Sequence, residues 1–257
     1  MSYSITLAAC ALASLSMLIV MPASVNAAEN QVAAAEERII RVTNDFRGEQ
    51  GLPVLSTNES LIKAATDFAN FMLTESKYGH YADGRRPSER AEAAGYDYCV
   101  VRENIAYRVD PSQPDPSEIG QHFVDGWKES EEHRDNMLGA HITETGVAVV
   151  TADGKTFYAV QMFGRPISAR FKLQIKNDTD TTQTLLFRSE DSRDEIAVPP
   201  STMLSVSRCV ETTVSLESND GQPSKDEEAT DTRITVKEAG EFVITFDEDH
   251  NAVLRSL

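Results

Sequence analysis

A chain of 257 residues has room for one large domain or two small ones. Its 40% hydrophobic content is enough for ordinary buried cores, and its formal net charge of −17 makes the surface acidic. An acidic surface repels phosphate backbones and anionic bilayers, which excludes nucleic acid as a partner class; the charge itself serves solubility.

Residues 1–27 carry no charged side chain. The apolar run from Ile5 to Val20 ends at Pro22 and gives way to the small residues Ala23-Ser-Val-Asn-Ala27. Apolar run, breaker and small-residue site is the order of a secretory signal, with cleavage expected after Ala27 or Ala28. No Lys or Arg stands near Met1, where a signal usually starts positive. A membrane anchor is the rival reading, but the run is near the lower edge of the roughly 17–25 residues that span a bilayer. No positive flank orients it either, so no stable span is expected after processing. Leu7-Ala-Ala-Cys10 has the letters of a lipoprotein box, but it opens the apolar run instead of following it.

Processing leaves two cysteines, Cys99 and Cys209. In an exported chain they invite one disulfide joining the two halves; two separate thiols is the alternative.

The first helix is expected from about Val32, with Ile39, Ile40, Val42 and Phe46 on its apolar face and Gly51 and Pro53 ending it. Ser56-Thr-Asn-Glu59 reads as a capping box for a second helix, whose stripe is Leu61, Ala65, Phe68 and Met72 and whose end is Gly79. A short helix is expected over Ser88–Ala94. After a Pro-rich loop, a third long helix opens near Ser117 with Ile119, Phe123, Trp127, Ser130 and then Arg134 or Met137 on one face. Beyond Asn136 the period changes to that of strands: Thr145–Thr151 and Thr156–Phe163, joined by an Asp153-Gly154 hairpin turn. Helices followed by a hairpin suit an α-β-α layered domain.

From Phe171 onward only strand signals occur: Phe171–Ile175, Gln183–Phe187, Met203–Val206, Glu211–Leu216, Thr232–Lys237 and Glu241–Phe246. These suit a small antiparallel β-sandwich, and the acidic stretch Ser218–Asp231 reads as a mobile loop. The overall class is therefore α+β.

His80, Glu103 and His133 carry the chemical interest. Two imidazoles and a carboxylate can bind Zn²⁺ or another divalent metal with a coordination position left open. They can equally act as general acid and base. No His-Glu-x-x-His spacing links them, so any convergence has to come from the fold. The plain alternatives are a loop histidine, a carboxylate pinning backbone amides and a half-buried helical histidine.

Five pieces stand in order: Gly79-His80-Tyr81; Glu103-Asn104-Ile105-Ala106; Trp127 with Ser130, His133, Arg134 and Asn136-Met-Leu138; Gly146-Val147-Ala-Val; and Tyr158-Ala-Val-Gln-Met-Phe163. Over about Val32 to Phe163 the chain thereby resembles bacterial members of the CAP superfamily (cysteine-rich secretory proteins, antigen 5, pathogenesis-related proteins). The resemblance implies an α-β-α sandwich over residues 31–166, with the β-rich residues 168–257 appended. It also implies a cavity that two His and two Glu line in many relatives. His80 and Glu103 match one of each. Ser130 stands where the second Glu would fall, and His133 replaces a His expected near Phe157, so Ser130 and Asn136 join the candidate cavity residues.

The implied role is an exported binding protein for a lipid, sterol, cell-envelope or protein partner. The alternative is a hydrolase of the peptidase kind that uses His80, Glu103 and His133 with or without a metal. No Gly-x-Ser-x-Gly nucleophile is present, and Cys99 has no nearby His in sequence.

Overall fold

The computed structural model describes residues 23–112, 114–190, 192–217 and 233–257, with side chains described from residue 32 onward except at Pro116. The apolar leader up to Pro22 and the acidic stretch expected to be a loop lie outside the described residues. Among the described residues no helix is long and apolar enough to cross a membrane.

Helix α1 (Ala23–Glu49) is followed by a short strand β1 (Ser56–Thr57) and then by α2 (Glu59–Glu75). The helix start thus differs from the expected capping box. Ser56 and Thr57 are extended and pair in parallel with the later strand β3 (Glu144–Thr151), so the capping side chain is Asn58. Its Oδ1 accepts from the Ser60 and Leu61 amides. At the other end α2 stops at Ser76, which adopts the left-handed conformation, before Gly79 is reached.

Helix α3 (Pro87–Ala93) precedes the long strand β2 (Tyr98–Val109). The single long helix expected from Ser117 is two helices, α4 (Pro116–Glu129) and α5 (Glu131–Leu138). Ser130 breaks them with extended backbone at φ −88°, ψ 123°. The apolar stripe continues across the break, because Trp127 and Met137 both reach the same core.

Strand β4 (Thr156–Pro166) completes the first sheet, of order β1-β3-β4-β2, with β2 on its outer edge. Side chains alternate across this sheet. Val147, Val149, Phe157, Ala159 and Phe163 pack under α1, α4 and α5; Ala148, Val160 and Met162 pack under α2 and α3. The result is helix, sheet, helix. Glycine is required where α2 lies on β3, because a Cβ at Gly146 would meet Leu61 and Ile62 backbone atoms at 2.2 Å.

A short 3-10 turn (Ile167–Ala169) leads to two four-stranded sheets. One has the order β10-β9-β6-β7, from β10 (Arg233–Val236), β9 (Thr212–Leu216), β6 (Gln183–Arg188) and β7 (Arg193–Val198). The other has the order β12-β11-β5-β8, from β12 (Ala252–Ser256), β11 (Gly240–Phe246), β5 (Phe171–Asn177) and β8 (Met203–Arg208). Strands β7 and β12 were not expected from the sequence. Pairing is antiparallel except between β11 and β5, which run parallel. Leu173, Ile175, Leu185, Phe187, Val214, Ile244 and Leu254 fill the space between the sheets.

The two halves are joined covalently. Cys99 on β2 is bonded to Cys209 just after β8, with Cα atoms 5.5 Å apart. Beside this link, Glu190 of the β6–β7 connection lies 3.8 Å from Arg102 Nη2 and 3.6 Å from His141 Nε2.

Candidate functional site

Gly79, at φ +131°, turns the chain after α2 in a conformation that side-chain-bearing residues rarely adopt, and sets His80 beside β2. His80 Nδ1 lies 2.8 Å from Glu103 Oε1. An ionised carboxylate only accepts, so Nδ1 is the donor of this bond. Glu103, whose side chain is wholly buried, has a second partner. Arg90 Nη2 donates to its Oε1 at 2.9 Å and its Oε2 at 2.7 Å.

The Arg90 guanidinium is itself nearly fully buried and fastens the whole corner. Nη1 donates to Asp83 Oδ1 and to the Arg85 carbonyl, each at 2.8 Å, and Nη2 also reaches the His80 carbonyl at 3.0 Å. Its plane covers the Phe68 ring, with Cζ 3.6 Å from the centroid. Neither Arg90 nor Asp83 was singled out in the sequence. Arg85, Arg86 and Arg90 look alike along the chain, and only the packing of α3 on β2 decides which one is buried.

His133 comes from α5. Its ring centroid is 6.5 Å from that of His80, so the fold brings the two imidazoles near one another without direct contact. Two asparagines fix the helix that carries it. Asn104 Nδ2 donates to the His133 carbonyl at 3.0 Å; Asn136 Nδ2 donates to the Glu103 carbonyl at 3.1 Å and to Asn104 Oδ1 at 3.0 Å. Asn136 therefore ties α5 to β2 and does not line the cleft. Burial first, then the neighbouring His80, lowers the proton affinity of His133, and Glu132 partly offsets this.

A cleft of about 380 Å³ opens between the outer edge of β2 and α4. Tyr78, Tyr107, Phe123 and Trp127 form its aromatic walls, and His122, Ser130 and His133 add polar groups. Two β2-edge contacts hold the walls in place: Tyr78 Oη and Trp127 Nε1 both donate to the Ile105 carbonyl at 3.2 Å. Of the expected set, His133 and Ser130 face this cleft, whereas His80 and Glu103 lie outside its lining. Tyr78, Tyr107 and His122 were not anticipated. Their lone signal in the sequence is aromatic and imidazole side chains at positions that no core pattern uses.

The donor chemistry bears on metal binding. Catalytic zinc takes three protein ligands and keeps an open position. Here both Glu103 oxygens are engaged by Arg90 and His80, and His80 Nδ1 is engaged by Glu103. Among the described residues no group of three or more His, Cys, Asp or Glu side chains is placed to share an ion. The residues present do not fit a resident catalytic zinc.

Residues 40–163 match the cysteine-rich secretory protein family, CAP. This part of the chain is a CAP domain. The chain is 30% identical to the Bacillus subtilis protein YkwD over 139 residues, covering 54% of this chain and 50% of YkwD. It is 29% identical to the B. subtilis membrane protein YlbC over 117 residues, covering 45% of this chain and 31% of YlbC. The matched region thus spans half or less of these relatives' own length. Among solved structures, an extracellular SCP-domain protein of Bacillus anthracis is similar at 22% identity and TM-score 0.46, over 57% of this chain and 45% of that one. An outer surface protein of Borrelia burgdorferi is similar at 17% identity and TM-score 0.46, over 51% of this chain and 92% of that one.

Proposed function

We propose that this chain is an exported binding protein whose CAP domain takes a lipid, sterol or other cell-envelope ligand in the cleft between β2 and α4. The β-rich half then supplies a second docking surface through its loops. The observation that carries this reading is the cleft itself, a concave site with aromatic walls and a few placed polar groups. Gly126 of α4 offers a clean test, because it borders the cleft and a Cβ there would meet nothing within 4 Å. Gly126→Leu should fill the cleft while leaving the fold intact. The mature chain is expected to co-sediment with sterol-containing phospholipid vesicles or with a washed envelope fraction, and Gly126→Leu to lose that retention. Absence of retention on both materials, or equal retention by the variant, would overturn the reading.

A second reading is favoured by the His80–Glu103 pair. An imidazole held at 2.8 Å by a carboxylate, with its side chain 41% exposed, is oriented as a general base would be. A hydrolase acting through it should lose activity in His80→Ala and His133→Ala with melting curves unchanged. Activity that survived both changes would have to arise elsewhere.

A further inference from the structure

The aromatic wall of the cleft does not stop at its mouth. Tyr78 and Tyr107 meet edge to face with centroids 5.1 Å apart, and Tyr107 stacks at 6.0 Å on Tyr158, its cross-strand partner on β4. Tyr78 is 49% and Tyr107 56% exposed. A single exposed tyrosine needs no explanation, but Tyr78 and Tyr107 both line the cavity in edge-to-face contact, and the half-buried Tyr158 braces Tyr107 from behind, which makes a rigid platform with apolar faces.

The charge of this surface is as informative as its shape. Among the described residues no Asp or Glu lines the cleft, and the one permanently charged side chain that does is Arg108. That guanidinium is ion-paired with Asp110, whose Oδ2 accepts from Nε at 3.3 Å and from Nη2 at 3.0 Å. Within a chain of net charge −17, the cleft is thus a neutral patch. A cationic ligand would find no carboxylate in this lining, and an anionic one only a guanidinium whose charge Asp110 already balances. Nor is the β2 edge open for an extended peptide to pair along. The Glu103 carbonyl is taken by Asn136, and the Ile105 carbonyl by Tyr78 and Trp127.

A ligand with flat apolar faces, hydroxyls around its rim and no charge matches what remains. We infer that the cleft and its tyrosine platform bind a neutral oligosaccharide, with a pyranose ring stacked on Tyr107 beside Tyr78 and hydroxyls reaching Ser130, His122 and His133. This rests on the reading of the cleft as the ligand site and names the chemical class of its occupant.

Trp127 reports on this cleft alone, because it is the chain's single tryptophan, is 2% exposed and lines the cavity. The full chain is titrated with N-acetylchitotetraose, cellotetraose and maltotetraose while Trp127 emission is followed. A saturable change is expected with at least one of them. Tyr107→Ala should weaken that binding by about tenfold, and Gly126→Leu should abolish it with unaltered melting. A silent wild-type chain, or a response that both variants retain, would overturn the inference. If the sugars are silent while vesicles or envelope are still held through the Gly126 cleft, only the saccharide assignment falls. If both are silent, the binding reading falls with it.

Discussion

Glu103 is held by a cation as well as by a histidine, and that decides its character. Arg90 and Glu103 are both buried, and removing one partner leaves the other charge uncompensated. Glu103→Ala should therefore cost about 3–5 kcal/mol in urea unfolding, and the losses of Glu103→Ala and Arg90→Leu should be less than additive in the double variant, although Arg90→Leu also strips Asp83 and the Arg85 and His80 carbonyls of their donor. A neutral Glu103→Ala would show that the pair is not under strain of burial. His133 predicts a pH effect at the same scale. Its folded-state proton affinity lies below the ordinary histidine value of 6.5, so the unfolded chain takes up the extra proton as pH falls. Its contribution to stability is complete above about pH 6.5 and is lost as pH drops through the folded value. Melting temperature measured from pH 7.5 to 5 should fall, and less steeply in His133→Asn; identical slopes would exclude His133 as the cause. Residue type alone pointed to His80, Glu103 and His133, since imidazoles and a carboxylate are costly to bury without partners. Arg90 was not legible because nothing local to α3 distinguishes a buried arginine from its solvated neighbours.

At the scale of elements, periodicity carried most of the reading and failed where tertiary contacts took over. The expected stripes of α1 and α4 pack into one core and that of α2 into the other. Ser56-Thr57 became a strand because β3 offers it a parallel partner, which no local capping signal reveals. The break at Ser130 was hidden because Trp127 and Met137 keep the same core on both sides of it. That break lets α5 turn, so that His133 lines the cleft while its carbonyl meets Asn104. Strand β2 was left unassigned in the sequence, yet it carries Glu103, Asn104 and Tyr107 and forms one wall of the cleft. The packing of α2 on β3 gives a test at this scale. Gly146→Ala has no flexible neighbour to displace, since the nearest atoms are backbone. It should destabilise the chain by about 1–3 kcal/mol or more in chemical denaturation. An unchanged midpoint would mean that α2 can move away from the sheet freely.

For the whole molecule, the covalent link sets how the halves relate. Cys99 and Cys209 are 110 residues apart, and closing a loop of that length stabilises a chain by up to about 4–5 kcal/mol in the entropy model. Cys99→Ser with Cys209→Ser should lower the denaturation midpoint accordingly and separate the unfolding of the two halves in calorimetry. A single unchanged transition would contradict that. The link also starts from the strand that carries Glu103, so the β-rich half is tied covalently to the site's own strand. The α-β-α layering and the order of its motifs were legible in the sequence. The charge-balanced cleft was not, because it depends on which edge of β2 is left open.

The most direct measurement is a calorimetric titration of the purified chain with Zn²⁺, beside the His80→Ala, His133→Ala double variant. Glu103 is engaged by Arg90 and His80, and among the described residues no group of three or more His, Cys, Asp or Glu side chains is placed to share an ion, so the proposed binding reading has no resident metal. The wild-type chain should then show no one-to-one zinc binding that the variant lacks. One-to-one binding that disappears with the two histidines, both proteins remaining folded, would contradict this and make metal-dependent hydrolysis the leading reading.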